Sequence, residues 1–322
     1  MTKILLISNK SDLTIDFVVL RLTELGISFY RFNTEELGHT VSVNLDFEND
    51  TFYLHDSVLH ITIDLIEIAS VYYRRPEIPK FADDTLTQGE NNFLKSEFLY
   101  LLEGIYKILQ KAYWISPLYS IREAENKVYQ LKLAKEIGFR VPPSLITNIP
   151  EQADAFYSKQ KRNCIVKPIK TGLIEDTLQP KVIFTSKLEN FDQNLLRVQS
   201  CPTFFQKCIN KIGDVRVTIV GETIFAALIH SQEETESITD WRRSERPLNY
   251  SKIDIPDDLT TKCLRLLKSL NLRFGAIDFI LDENTDYLFL EINPNGQWAW
   301  IEKQLGYDIS GTISKLLIDE IF

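Results

Sequence analysis

The densest chemistry lies near the C-terminus. Asp278 stands in the stretch GAIDFIL, and Glu291 and Asn293 stand in LFLEINPN. Side chains alternate along a strand, so Glu291 and Asn293 share one face. With residues 282–285 closing a hairpin, Leu281 is expected opposite Asp286 and Asp278 opposite Phe289, which sets Asp278 diagonally beside Glu291. Leu288, Leu290 and Ile292 are then expected to face the core. Two carboxylates and an amide are hard oxygen ligands, of the kind that hold Mg2+ together with waters and phosphate oxygens. The plain alternative is a solvated strand face.

Cations precede this trio in the chain. Lys167 interrupts the apolar run CIVKP, so its ammonium must snorkel out or meet an anion. Lys127 follows AEN early in a helical pattern. Asp214 and Arg216, in GDVRVTIVG, are two apart and share a strand face. Arg74-Arg75 close a strand, and Asp240-Trp241-Arg242-Arg243 sit in a polar stretch between two hairpins. Each charge alone reads equally as a surface position or a salt bridge. The order (helix lysine, strand lysine, polar loop, arginine, aspartate, Glu-x-Asn) is what makes the set informative.

Those residues need elements to hold them. A strand over 3–8, a helix over 14–25 ended by Gly26 and a strand over 27–32 form a β-α-β start, hence a parallel sheet. Short strands fill 40–66, and another spans 70–73. Leu94, Phe98, Leu101, Leu102, Ile105, Ile108 and Leu109 predict a helix over 91–111, with Gly104 its weak point. One helix is expected over 123–137, stopped by Gly138. A strand follows at 145–146, then a helix with Asn148 as N-cap and Pro150 in its first turn. Strands over 164–167 and 182–185 flank a polar loop, 170–181. Hairpins are expected at 214–220/223–230 and 274–281/287–293, with a helix over 257–270 between them and helical segments over 298–322. The domain expectation is 1–118, 119–202 and 203–322.

Composition bounds the function. The chain has 322 residues, 44% apolar and 25% charged, which suits a globular protein with a large core. No run approaches 18 apolar residues, so no membrane span is expected. The net charge of −9 argues against broad binding to a nucleic-acid backbone. The opening MTKILLISNK reads as a buried strand and not a signal peptide. Cys164, Cys201, Cys208 and Cys263 lack metal-site spacing, so reduced thiols in a cytoplasmic protein are the expectation.

The ordered set resembles the ATP-grasp ligases, most closely the branch of glutathione synthetase and the ribosomal-protein-modifying glutamate ligases. The stretches YYRRPE (72–77), AENKVYQLKLAKEIGFRVPPSLITN (124–148), QKCINKIGDVRVTIVG (206–221), TDWRR (239–243) and FLEINPNGQWAWIE (289–302) are similar to the peptide-maturing ligases that cyclise graspetides, the microviridin-type peptides. The resemblance spans essentially the whole chain. It implies an α/β and α+β architecture: an ATP-grasp fold with an N-terminal parallel-sheet domain, a central subdomain and a C-terminal antiparallel-sheet subdomain.

By that resemblance Lys127 and Lys167 contact ATP phosphates. Gln206, Lys207, Cys208 and Ile209 form the hinge beside adenine, and Asp214 meets the ribose. Asp278, Glu291 and Asn293 bind two Mg2+ ions, and Arg216 faces the γ-phosphate and the acyl phosphate. Arg242 is expected to join Arg216 in catalysis, with Asp240, Trp241, Arg243, Arg74 and Arg75 on the substrate side. The implied reaction activates Asp or Glu side chains of a ribosomal precursor peptide, leader plus core, and joins them to Ser/Thr hydroxyls or Lys amines. No nucleic acid or membrane partner is implied, and related ligases point to a homodimer. The loop 170–181 departs from a glycine-rich cradle, since Gly172 is its one glycine. Two other readings stand beside this one: addition of a free amino acid to a carboxylate, and nucleotide binding with little turnover.

Overall fold

Strand β1 (Ile4–Ser8) leads into α1 (Leu13–Glu24), whose N-cap Asp12 accepts from the Thr14 amide; β2 (Phe29–Asn33) follows. A meander of β3 (Val41–Asp46), β4 (Thr51–Asp56) and β5 (Ile61–Asp64) precedes β6 (Ser70–Tyr73). Helix α2 (Gln88–Ile108) starts with a capping box between Thr87 and Glu90. Then come β7 (Tyr113–Ile115), α3 (Leu118–Ala124) and α4 (Lys127–Ile137). The computed structural model describes residues 2–80, 86–170, 172–174 and 181–321.

The single helix expected over 123–137 is therefore two. Asn126 takes an extended conformation, and its side chain accepts from the amides of Val128 and Tyr129, so α4 restarts with Lys127 at its first position. Strand β8 (Ser144–Thr147) precedes α5 (Pro150–Lys159). Its N-cap is Ile149 and not Asn148, because Thr147 Oγ1 accepts the Ile149 amide and starts the turn one residue later. Then follow β9 (Cys164–Lys167), β10 (Leu173–Ile174), β11 (Lys181–Val182), β12 (Ser186–Lys187) and α6 (Phe191–Asn194). Of the strand expected over 182–185, Val182 alone lies in a strand, the end of β11; residues 183–185 link it to β12.

The C-terminal third holds β13 (Thr203–Lys207), β14 (Lys211–Val220), β15 (Thr223–Ile229), β16 (Tyr250–Lys252), α7 (Asp257–Ser269), β17 (Phe274–Asp282) and β18 (Tyr287–Asn293). Two helices close the chain, α8 (Ala299–Leu305) and α9 (Ile309–Asp319).

Two compact units result. The first comprises Met1–Ser120, Asn271–Phe274 and Gln297–Phe322. Its parallel sheet runs β2-β1-β6-β7, beside the antiparallel meander β3-β4-β5. Leu5, Ile7, Phe32, Val71, Leu102, Ile105 and Trp114 fill its core. Trp298 belongs here as well: it is wholly buried and donates from Nε1 to the Tyr72 hydroxyl at 3.2 Å.

The second unit comprises Ile121–Leu270 and Gly275–Gly296. It contains the sheet β12-β9-β13-β8 and the antiparallel five-stranded sheet β16-β15-β14-β17-β18. No described helix in either unit is long and apolar enough to cross a membrane.

Candidate active site

The β17–β18 hairpin departs from the expected register. Leu281 faces Tyr287, and Phe279 faces Phe289; a bulge then brings Asp278 opposite Glu291 and Ala276 opposite Asn293. The extra residue at the bulge is Leu290, and it reverses the parity of the strand. Phe289 and Ile292 are buried, while Leu290 turns to the cleft with Ile280. This corrects the expectation that Leu288, Leu290 and Ile292 all face the core.

The bulge also brings the three oxygen-bearing side chains together. Asn293 Nδ2 donates to Asp278 Oδ2 at 3.2 Å and to Glu291 Oε1 at 3.3 Å. Asn293 is held by the turn behind it, where the Gly296 amide donates to the Asn293 carbonyl at 3.2 Å. A Cβ on Gly296 would stand 2.5 Å from the Ala276 methyl group, so only glycine fits that turn.

Cations surround the trio. Arg216 forks onto Asp278, Nε to Oδ1 at 2.8 Å and Nη2 to Oδ2 at 2.7 Å, the bidentate geometry of a strong charge-assisted pair. The Trp241 ring centroid lies 5.3 Å from the same guanidinium, within cation–π reach. Lys127 Nζ stands 3.1 Å from Glu291 Oε2. Burial alone would raise the Glu291 pKa, but Lys127, Lys167 and Arg242 outweigh it and hold the carboxyl down to about 2.

Lys167 Nζ donates to Gln206 Oε1 at 3.2 Å and lies 4.5 Å from the Phe204 ring centroid. Burial pushes its ammonium down to about 8, with Lys127 and Arg242 acting in the same direction against the pull of Glu291. Gln206 is itself buried and donates from Nε2 to Ser144 Oγ at 2.9 Å, which fixes the amide that orients Lys167. Farther along the hinge, the Lys207 amide donates to the Pro143 carbonyl and the Cys208 amide to the Asn163 carbonyl. Those two donors are engaged within the protein.

Asp214 is buried and meets Lys211 Nζ at 2.6 Å. Burial raises its pKa, opposed by Lys211 and by a hydrogen bond from Ser231. Lys211 was not singled out from the sequence. The signal was present, since a buried aspartate needs a cation and Lys211 lies three residues before it.

The expected substrate group resolves differently. Asp240 is buried, and Arg242 donates to it from its backbone amide, from Nε at 2.8 Å and from Nη2 at 2.8 Å. The Thr185 amide donates to Asp240 Oδ2 at 3.3 Å. Asp240 therefore orients Arg242 and is corrected from a substrate contact to a support. The hydrogen bonds from Arg242 to Asp240 in turn raise the guanidinium pKa. Arg243 stacks 5.7 Å from the Phe184 ring centroid.

Lys127, Lys167, Gln206, Lys211, Asp214, Asp240, Trp241, Arg242, Asp278 and Glu291 line one cleft. Its apolar walls are Ile165, Ile280 and Leu290. Polar groups in an apolar-walled cleft form the setting in which fixed charges stabilise a transferring anion.

Arg74 and Arg75 lie in the first unit and not in this cleft. Arg74 is wholly buried and donates from Nε to Asp12 Oδ2 at 3.1 Å, so its expected place on a substrate face is corrected to a structural ion pair. Arg75 is exposed, and its carbonyl accepts from Asn9 Nδ2. Most of loop 170–181 lies outside the described residues. Gly172 is described: its carbonyl accepts the Ile183 amide at 2.7 Å, and a Cβ there would collide with the Ile183 backbone. That glycine serves a close strand approach.

Residues 124–317 match the family model of the RimK-like ATP-grasp domain. The chain belongs to the RimK-like ATP-grasp family. It is an ATP-grasp ligase, and residues 3–122 match the MvdD pre-ATP grasp domain. Among solved structures it is similar to the macrocyclase MdnC of Microcystis aeruginosa MRC bound with precursor peptide MdnA. Identity is 29% and the TM-score 0.86, over 98% of this chain and 99% of that one. It is also similar to a Chryseobacterium gregarium RiPP-associated ATP-grasp ligase in complex with ADP and a leader and core peptide. There identity is 28% and the TM-score 0.88, over 99% and 97% of the two chains. The macrocyclase MdnB of Microcystis aeruginosa MRC matches at 28% identity and a TM-score of 0.80, over 99% of each chain. The ATP-grasp ligase thus has its cationic cleft within the segment matched by the RimK-like model.

Proposed function

We propose that this ligase uses ATP and Mg2+ to activate Asp or Glu side-chain carboxylates of a ribosomally made precursor peptide. It then joins them to Ser/Thr hydroxyls or Lys amines of the same peptide, closing ester or amide rings. The observation that carries the reading is that Lys127, Lys167 and Arg242 line one cleft with Asp278 and Glu291, while Arg216 forks onto Asp278 and Asn293 bridges the two carboxylates. Its support from likeness is the pair of similar ligases crystallised with precursor, leader or core peptides.

A carboxylate is a poor electrophile. Moving the γ-phosphoryl group of ATP onto one of its oxygens yields an acyl phosphate and ADP. A hydroxyl or amine of the same peptide then attacks the carbonyl carbon, phosphate departs with the C–O bond, and the nucleophile loses its proton. Because both reacting groups lie on one bound chain, the second step gains a high effective concentration. Lys127 and Lys167 neutralise charge on the phosphates, and Arg216 and Arg242 hold the transferring phosphoryl group and the substrate acid. The walls of Ile165, Ile280 and Leu290 keep water from the acyl phosphate.

The trio suits magnesium. No cluster of three or more His, Cys, Asp or Glu residues that could hold a metal occurs among the described residues. Two carboxylates and an amide leave positions open, as befits an ion that keeps waters and phosphate oxygens. When bound, magnesium supplies bridging of phosphate oxygens and neutralisation of their charge. Two ions fit this reading, and Asp278, Glu291 and Asn293 would hold them.

The test is mass spectrometry of a short Ser/Thr/Lys- and Asp/Glu-containing peptide encoded beside the gene, incubated with the ligase, ATP and Mg2+. Each ring removes one water from the peptide. A mass gain by free amino acids on a carboxylate acceptor would establish the second reading, and nucleotide binding without phosphate release the third.

A further inference from the structure

Three neighbouring strands of the second unit carry a line of polar side chains on one face. β13 lies between β8 and β9. Gln206 stands opposite Ser144 on β8 and opposite Ile165 on β9, and Lys167 lies two residues beyond Ile165 on the same face. The pairing therefore sets Gln206 between Ser144 and Lys167. Ile165, Lys167 and Gln206 form part of the cleft wall.

The hydrogen bonds along this line run in one direction. Lys167 Nζ donates to Gln206 Oε1 at 3.2 Å, Gln206 Nε2 donates to Ser144 Oγ at 2.9 Å, and Ser144 Oγ donates to the Pro142 carbonyl at 2.7 Å. The two ends fix that direction. A carbonyl can only accept, and an ammonium can only donate. A serine hydroxyl has one proton. Once that proton goes to Pro142, only lone pairs face Gln206, so the amide must meet them with its NH2 group. Its oxygen is then left for the ammonium.

The two polar groups differ in burial. Ser144 is exposed at the start of an edge strand, whereas Gln206 is 1% exposed. A buried amide needs partners at both of its ends. Water at the strand edge would be a poor substitute for the serine, because it donates as readily as it accepts and commits the amide to neither orientation. The backbone holds the serine in turn. Pro143 fixes one of the torsions that link the Pro142 carbonyl to Ser144. The Lys207 amide donates to the Pro143 carbonyl at 2.9 Å and ties the same segment to β13.

We propose that Ser144 is a positioning residue for the nucleotide: its hydroxyl, committed to the Pro142 carbonyl, holds the Gln206 amide with its oxygen toward Lys167 and so keeps the ammonium set for the phosphates. Ser144 itself touches no substrate and acts through Gln206. This role rests on the reading of Lys167 as a phosphate contact, and not on which peptide is the substrate.

Equilibrium titration of the full chain with ATP and Mg2+, in the absence of peptide, is the test. Ser144→Ala should raise the Kd for ATP about three- to tenfold, the worth of one hydrogen bond. Ser144→Thr keeps the hydroxyl and should bind as the parent does. A carboxylate introduced by Gln206→Glu presents an accepting oxygen to Lys167 whichever way it turns. Ser144→Ala added to Gln206→Glu should therefore weaken binding no further. An ATP affinity indifferent to Ser144→Ala overturns the proposal. So does an equal loss in the Gln206→Glu background, or a loss that Ser144→Thr shares, since either makes Ser144 a structural residue of its strand. Lys167→Met separates the two failures. If it weakens ATP binding while Ser144→Ala does not, Lys167 keeps its role and Ser144 loses its own. If Lys167→Met binds ATP as the parent does, the reading of Lys167 falls, and the role of Ser144 with it.

Discussion

Arg216 and Asp278 form a buried fork pair, with both guanidinium contacts within 2.8 Å of the two carboxylate oxygens. In the proposed reaction the same arginine hydrogen-bonds to the transferring phosphoryl group. Arg216→Lys keeps the charge and loses the fork. It should lower kcat by about 10²- to 10³-fold, as loss of a single oriented donor does in other acyl- and phosphoryl-transfer sites. Steady-state ADP formation with a saturating peptide measures this. A kcat within twofold of the parent would leave Arg216 as nothing more than the partner of Asp278.

Glu291 sits among Lys127, Lys167 and Arg242, and its charge balances theirs. Glu291→Gln keeps the shape and removes the anion. Turnover should fall by about 10²-fold or more, and the unfolding midpoint should fall as well, because the amide leaves the charges of Lys127 and Lys167 uncompensated. Isothermal titration should show weaker Mg2+-dependent nucleotide binding. Crosslinking at the parent rate would remove Glu291 from the metal assignment.

Much of this site was legible in the chain, because strand alternation alone joins Glu291 to Asn293 and Asp214 to Arg216. The register of the hairpin was not. Phe289-Leu290-Glu291 reads as regular alternation, and what creates the bulge is remote in sequence: the Phe289 amide donates to the Arg140 carbonyl at 2.8 Å, and its ring packs 5.3 Å from that of Phe139. The break before α4 was readable in Asn126, a strong cap. The burial of Arg74 depends on Asp12, the N-cap of α1 that follows β1, a pairing that appears only when β1 and β6 lie side by side. Local signals carry element type; the hairpin register and the burial of Arg74 come from contacts between distant segments.

Lys167 gives the site a pH signature. Burial lowers its pKa from the ordinary lysine value to about 8, so in the free enzyme its ammonium discharges as pH rises through that value. Between about 8 and the unfolded value near 10.5, the unfolded chain binds more protons than the native one at this position. The cost of burying the charge is thereby relieved, and its contribution to stability rises with pH. Activity runs the other way, because the uncharged amine no longer neutralises phosphate. The kcat/KM for ATP should decline above pH about 8. Lys167→Arg should remove that limb while retaining activity at pH 7; a profile unchanged by the substitution would detach it from Lys167.

Arg74 makes the opposite kind of prediction, a loss of fold without a contact to substrate. Its guanidinium is wholly buried beside Asp12, which also accepts from Ser8 Oγ at 2.9 Å. Removing one partner of such a pair leaves a buried charge uncompensated, at a cost of about 3–5 kcal/mol. Arg74→Met should therefore shift the denaturant midpoint strongly downward, and Asp12→Asn should do the same. The exposed neighbour offers the control: Arg75→Ala should change stability by no more than about 0.5 kcal/mol. If Arg74→Met unfolds at the parent midpoint and instead raises the KM for the precursor peptide, the arginine belongs to substrate binding after all.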